Sequence, residues 1–392
     1  MKKLKFSYPL PIILILLVFV FQSYSQKIDF KAQYTLAEKQ YALMLENHPD
    51  TSLTIHSANE NGYVDRPSSW WCSGFFPGGL WYLFEETGNT KWKEAAELWS
   101  KAVEKEQYNK GTHDLGFMMY CPFGNGLRLT GNSHYKEVLI QSAKSLSTRF
   151  DPKIGLIKSW NSFKGGYKYP VIIDNMMNLE LLFWASKETG DMSYYNIAIT
   201  HAMNTMRNHY RSDFSSYHVI CYGPNGEVLA RKQHQGYIDE STWTRGHAWG
   251  VYGYVMTARE TGDQLFLDFA QNIADYYLNH PNLPEDKIPY WDFSAPNIPN
   301  EERDATAGAI MCSALYELSE LVGGSKGKSY RALADKMLES LSSPAYRAQM
   351  GENNHFLIKH GVGAKGLNSE VDVPLIYGDY YFLEALKRSR GK

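Results

Sequence analysis

Two aspartates stand where a general acid and its partner could stand. Asp114 lies in His113-Asp114-Leu115-Gly116-Phe117, and Asp174 in Val171-Ile172-Ile173-Asp174-Asn175-Met176-Met177-Asn178. Each opens an apolar, helix-patterned stretch. An aspartate there is also a preferred N-cap, worth about 1 kcal/mol, and capping explains either one taken alone. Asp174 differs in its neighbours: three β-branched residues precede it and two methionines follow. Such surroundings exclude water, so its pKa is expected to rise. A carboxyl group that keeps its proton near neutrality is what a general acid requires.

A longer polar segment, residues 233–250, holds Gln235, Trp243, Arg245 and Trp249 just before a helical pattern. Arg245 has the planar fork to grip a carboxylate through two N–H groups. Trp243 and Trp249 offer flat faces that could border a sugar ring. Residues 70–81 carry Trp70, Trp71, Phe75, Phe76 and Trp81 among glycines and a proline. They read equally as a sugar-stacking rim or as packing at a hairpin entry. His218, beside Tyr217, carries little weight alone, because a lone histidine is more often structural.

Composition narrows the chemistry. The formal net charge is −2 with no long basic run, which argues against nucleic acid, whose binding depends on neutralising phosphates. Aromatic residues make up 14% of the chain, with 28 Tyr and 10 Trp. That excess suits carbohydrate and equally suits a large core. None of the four cysteines forms a Cys-x-x-Cys pair, so no metal motif is present and buried free thiols are expected. At the N-terminus, Lys2, Lys3 and Lys5 precede an apolar run at 10–21 and then Ser23-Tyr24-Ser25. Residues 1–25 are expected to be a signal peptide, since the run falls short of the roughly 20 residues a span needs. The mature chain, 26–392, is then expected in a periplasm or outside the cell, with no membrane attachment after cleavage.

The elements that must position these residues are mainly helices. Apolar spacing at i, i+3, i+4 predicts helices over 79–86, 92–105, 175–188, 249–260 and 266–278. One punctuation mark recurs: Thr87-Gly88-Asn89, Thr130-Gly131-Asn132, Thr189-Gly190-Asp191 and Thr261-Gly262-Asp263. Each supplies a glycine to end one helix and an Asn or Asp to start the next. The glycines are 43, 59 and 72 residues apart, too uneven for a solenoid. No linker composition divides the chain. The expectation is all-α: a single-domain (α/α)6 barrel of six helical hairpins, with long loops and a few short strands on the active-site face. Strands are expected near 219–222 and 227–230, around the Pro224-Asn225-Gly226 turn.

In this order, the motifs resemble those of glycoside hydrolase family 88, the unsaturated glucuronyl hydrolases. They are the aromatic hairpin near Trp71, His113-Asp114-Leu115-Gly116-Phe117, residues 172–185, Tyr217-His218, residues 234–250 and finally Ile376-Tyr377-Gly378-Asp379-Tyr380-Tyr381. The resemblance spans most of the mature chain. The related unsaturated rhamnogalacturonyl hydrolases match residues 234–250 less well. The resemblance implies the same barrel and no metal or organic cofactor. It implies that Asp174 is the general acid/base and Asp114 a second essential aspartate. His218, Gln235, Trp243, Arg245 and Trp249 match positions that line the substrate site, and Trp71 and His113 fall in matching motifs. The implied partner is an oligosaccharide ending in a 4,5-unsaturated uronic acid, such as a fragment of a glycosaminoglycan or of ulvan. The implied reaction hydrates the C4=C5 enol ether instead of attacking the anomeric carbon. Some relatives that accept 6-sulfated chondroitin carry a Ser-x-x-Ser-x-Lys motif. The matching stretch here, residues 361–366, lacks both serines and has Lys365 out of step. Two rivals remain at this point: a conventional glycosidase or lyase on the same barrel, and a non-catalytic sugar-binding protein. The second has no need of both Asp114 and Asp174.

Overall fold

The computed structural model describes residues 28–391, so the N-terminal leader reading lies outside the described residues. Twelve α-helices are present among them. They are α1 (Phe30–Asn47), α2 (Phe75–Thr87), α3 (Thr90–Val103), α4 (Asn125–Thr130), α5 (Ser133–Ser147) and α6 (Leu179–Thr189). The second half adds α7 (Met192–Asn208), α8 (Thr244–Thr261), α9 (Gln264–Leu278), α10 (Ala305–Val322), α11 (Gly324–Ser342) and α12 (Ile376–Arg388). The even-numbered helices pack side by side in a closed ring, with a π-helix at Gly116–Gly124 leading into α4 and a 3-10 turn at Ile173–Asn178 leading into α6. The longer inner helices are the most deeply buried; every residue from Thr244 to Ala258 in α8 is buried. The outer, odd-numbered helices bury one stripe each, as α3 does with Trp92, Ala96, Trp99 and Val103. This is the expected (α/α)6 barrel.

The two ends of the barrel are built differently. Inner helices pass to outer ones through the recurring mark. Gly88, Gly131, Gly190 and Gly262 all take left-handed φ of 65–74°. The following Asn89, Asn132, Asp191 and Asp263 accept the N–H of the residue two further on. The threonine contributes two further bonds. Thr87 donates its hydroxyl to Leu83 O and accepts the N–H of Asn89, and the other three repeat this. Each turn therefore satisfies its helix-end groups locally.

The return connections, from outer to inner helices, are long and carry all the strands. β1 (Thr54–Asn59) pairs with β2 (Gly62–Arg66) ahead of α2. β3 (Phe150–Asp151) pairs with β4 (Leu156–Ile157). β5 (Tyr169–Ile172), β6 (Val219–Tyr222) and β7 (Val228–Lys232) form an antiparallel sheet, and β8 (Gly361–Ala364) pairs with β9 (Ser369–Val373) ahead of α12. Several boundaries differ from the sequence reading. The 175–178 stretch is a 3-10 turn, and α8 begins at Thr244, five residues earlier than expected. The polar segment at 244–248 is thus the first turn of an inner helix.

Helix α1 closes the ring against the C-terminal part of the chain. Gln40 donates to the carbonyls of Gln349 and Glu352 at 3.2 Å each and accepts from Gly351 N at 2.8 Å. Arg390 donates to the Tyr34 hydroxyl at 3.1 Å and lies over the Phe30 ring. All four cysteines are free and buried. Among the described residues no helix is long and apolar enough to cross a membrane.

Candidate active site

A cavity of about 310 Å³ opens at the long-loop end, where the inner helices begin. Asp114, Asp174, His113, Trp71, Gln235, Trp243, Arg245 and Trp249 all line it. They come from separate segments, and local contacts hold those segments together. The backbone of the Asp114 segment meets that of the Asp174 segment at Gly116, where a Cβ would stand 2.5 Å from Asn178 Cα. Asn178 Oδ1 accepts the Phe117 N–H at 3.0 Å across the same contact. Asn175 is held by the Ser159 hydroxyl (2.8 Å) and by Ile157 O (2.6 Å). Neither aspartate side chain caps a helix, so the N-cap reading fails for both.

The two carboxyl groups have opposite electrostatics, in the reverse sense to the sequence expectation. Burial raises the pKa of Asp114. His113 (Nε2 3.1 Å from Oδ1), the Thr112 hydroxyl (2.9 Å from Oδ2) and Arg149 offset this only in part, and the charge of Asp174 pushes it further up. Burial acts on Asp174 in the same direction, but the ring N–H of His218 aimed at its Oδ2, with the charges of His113 and Arg245, outweighs it and holds Asp174 below the ordinary carboxylate range. The apolar flanks of Asp174 are thus overruled by a histidine 44 residues away. Of the pair, Asp114 is the one that holds its proton more tightly.

His218 does not line the cavity. It is fully buried behind Asp174, with Nε2 3.5 Å from Asp174 Oδ2. Its Nδ1 accepts the backbone N–H of Gln235 at 3.3 Å, which leaves the proton on Nε2, facing the carboxylate. Its ring packs 4.5 Å from that of Trp243. His218 therefore positions Asp174.

Arg245 also departs from expectation. Its Nη1 donates to Asp304 Oδ2 at 2.8 Å and to Val362 O, and its Nη2 to Gly363 O at 2.6 Å. The fork expected to grip a substrate carboxylate is occupied by an internal acid and the β8 backbone. Only Nε lacks a partner. Gln235 likewise donates its amide to Gly363 O, at 2.9 Å. The Nε1–H of Trp249 and the hydroxyl of Tyr377 are buried at the cavity without partners, so both are available to a ligand. Lys365 is drawn away to Glu301 and Glu302.

Sequence reasoning missed Arg66, Trp160, Glu370 and Tyr377, all of which line the cavity. Arg66 and Glu370 lie in short strands with no motif around them; Tyr377 stood inside a family motif, and an aromatic opening an inner helix could have marked it. A larger cavity of about 480 Å³ lies at the tight-turn end. Its Glu384 is taken up by the hydroxyls of Tyr82, Tyr252 and Ser313, so it presents no free acid. Among the described residues, no group of three or more His, Cys, Asp or Glu is placed to hold a metal ion.

Two acids of opposed proton affinity under aromatic walls suit acid-assisted chemistry on a sugar, and comparison with known proteins agrees. No protein-family model matches the chain. An unsaturated glucuronyl hydrolase of Formosa agariphila is 46% identical over 326 residues, covering 83% of this chain and 81% of that one. An unsaturated glucuronyl hydrolase specific for heparin superposes with a TM-score of 0.89 at 45% identity, over 92% of this chain and 97% of the other. The glycosaminoglycan-degrading enzyme of Bacillus sp. GL1 superposes with a TM-score of 0.86 at 30% identity, over 92% and 97%. The chain accordingly belongs to the unsaturated glucuronyl hydrolases, glycoside hydrolase family 88.

Proposed function

We propose that this enzyme removes the 4,5-unsaturated uronic acid from the non-reducing end of lyase-cut glycosaminoglycan oligosaccharides. The observation that carries the reading is the pairing of Asp114 and Asp174 on one cavity floor, each 8% exposed, with His218 fixed behind Asp174. Relatives named for heparin and glycosaminoglycan breakdown support the substrate class.

In the proposed reaction a carboxylic acid protonates C4 of the enol ether, and positive charge develops at C5 and the ring oxygen. Water adds at C5, a proton is returned to the carboxylate, and the hemiketal opens to release the leaving sugar and a 4-deoxy-5-keto uronic acid. Asp174 is the proposed donor and Asp114 its partner. The substrate has to move the proton between them. Its carboxylate adds negative charge, and its ring expels water; both raise the proton affinity of Asp174. Once ionised, Asp114 stabilises the cationic transition state. Trp249 Nε1, Tyr377 Oη and the Nε groups of Arg66 and Arg245 are free donors on the walls.

The test is a panel of lyase-generated disaccharides from heparin, chondroitin, hyaluronan and ulvan, followed by loss of the ultraviolet absorbance of the conjugated acid. Decay on a glycosaminoglycan member is expected. Decay on the ulvan product alone would relocate the substrate class, and no decay on any member would overturn the function. An increase in absorbance would mean a lyase.

A further inference from the structure

The cavity holds a third carboxylate, Glu370 on β9, that the proposed chemistry does not use. Three features hold it in place. His56, fully buried, donates its Nε2–H to Glu370 Oε1 at 2.5 Å. Behind it Cys72 Sγ lies 2.8 Å from His56 Nδ1; burial pushes this thiol well above its usual pKa, so it keeps its hydrogen and donates to the ring. Position 363 is a glycine, and a Cβ there would run into the Glu370 side chain. Glu370 itself takes a φ of +57°, a conformation that L-residues adopt at a cost. Burial acts to raise its pKa, but the His56 bond and the charges of Arg245 and Arg66 outweigh this and keep it ionised at neutral pH.

Depth within the cavity says which sugar it meets. The side chains of Asp114 and Asp174 on the floor are each 12% exposed and Trp249 is fully buried, whereas Trp70 and Leu367 stand exposed at the mouth. The Glu370 side chain, at 22%, lies between them. An enzyme that takes the terminal residue to the floor leaves the next sugar at this level. Arg66, its Nε without a partner and its guanidinium over the Trp70 ring, completes the wall.

We propose that Glu370 is a specificity-determining residue that accepts hydroxyl hydrogens from the leaving sugar and excludes a sulfate at that level. This rests on the proposed function. An ionised carboxylate is acceptor-only, so it rewards O–H and N–H donors and repels an anion. Lys365, a further cation of the β8–β9 hairpin, is bound to Glu301 and Glu302, which leaves Arg66 as the cation beside Glu370 on this wall.

The experiment compares unsaturated disaccharides of one linkage that differ only in a single sulfate on the leaving hexosamine. Wild type is expected to favour the unsulfated member. Glu370→Gln keeps the length and the His56 contact but removes the charge. It should lower kcat/KM on the unsulfated member severalfold and raise it on a sulfated one, narrowing the ratio about tenfold. A purely structural role would lower both together, and that result overturns the proposal, as does an unchanged ratio. Wild-type preference for the sulfated member would show that Arg66 governs the wall, and overturns it too. Glu370→Ser, with melting temperature recorded for both variants, repeats the comparison should Glu370→Gln fold poorly. Wild-type inactivity on every unsaturated uronide would instead remove the function on which the proposal stands.

Discussion

Replacing Arg245 with methionine separates two meanings of the same residue. If the arginine chiefly grips substrate, Arg245→Met raises KM and leaves the fold alone. The geometry says otherwise. Arg245 and Asp304 are 1% and 0% exposed and 2.8 Å apart. Removing one partner of such a pair costs about 3–5 kcal/mol, because the other charge is left buried. Asp304 keeps the N–H groups of Thr306 and Ala307, which softens the loss, and Gly363 O keeps the Gln235 amide. At about 1.3 °C per kcal/mol for a chain of this size, a loss of about 3–5 kcal/mol should lower the melting temperature by about 4–7 °C. The variant also frees the β8–β9 hairpin, so kcat/KM falls with it. Scanning calorimetry of wild type and variant under one buffer reads the effect. A fall of less than about 2 °C alongside a clear rise in KM would refute the argument and restore Arg245 as a substrate-binding group.

Other outcomes follow from the same structure. Asp174→Asn and Asp114→Asn should each reduce kcat by about 10²–10⁴-fold with little change in melting temperature, since neither carboxylate caps a helix; near-normal turnover in a folded variant would remove that residue from the reaction. Gly116→Ala places a methyl group against Asn178, should cost about 1–3 kcal/mol, and should lower kcat more than it raises KM by moving Asp114 relative to Asp174. Asp379 is buried where the N–H groups of Leu357 and Ile358 reach it at 2.9 Å each, and burial, only partly offset by them, pushes its pKa up to about 8. The folded state then holds a proton that the unfolded state releases above about pH 4, so this contribution is full at low pH and is lost as pH rises through about 8. Asp379→Asn should carry a constant penalty, because its amide faces an N–H, but should remove that slope. Melting curves of the two proteins that run parallel from about pH 5 to about pH 9 would show that Asp379 is ionised throughout.

What could be read in the sequence was what neighbours in the chain decide. The Thr-Gly-Asn and Thr-Gly-Asp turns are local, each complete within a few residues, and they announced the hairpins. The aspartate motifs marked two carboxyl groups at the entrances to buried helices, and the structure places both on one cavity. The state of Asp174 was misread because His218 reaches it from another strand connection. Arg245 was misread because its partners lie 59, 117 and 118 residues further on. Glu370 left no trace, since its mount is assembled from His56, Cys72 and Gly363, and none of these is unusual alone. The 3-10 turn at Asp174 and the π-helix after Asp114 share a cause: tertiary contact at Gly116 overrides an apolar period that reads as plain helix.

The seam between α1 and the last helix has a consequence for how the molecule can be rewired. Phe30 and Tyr34 touch Arg390, so the two ends of the described chain are neighbours across a ring that is otherwise continuous. A short tether could join them without crossing the cavity, and new ends could be opened at an exposed tight turn such as Gly190, where no site residue lies. A circular permutant of that kind should fold and keep its substrate preference, which makes the barrel a scaffold whose point of entry into the chain is a matter of choice.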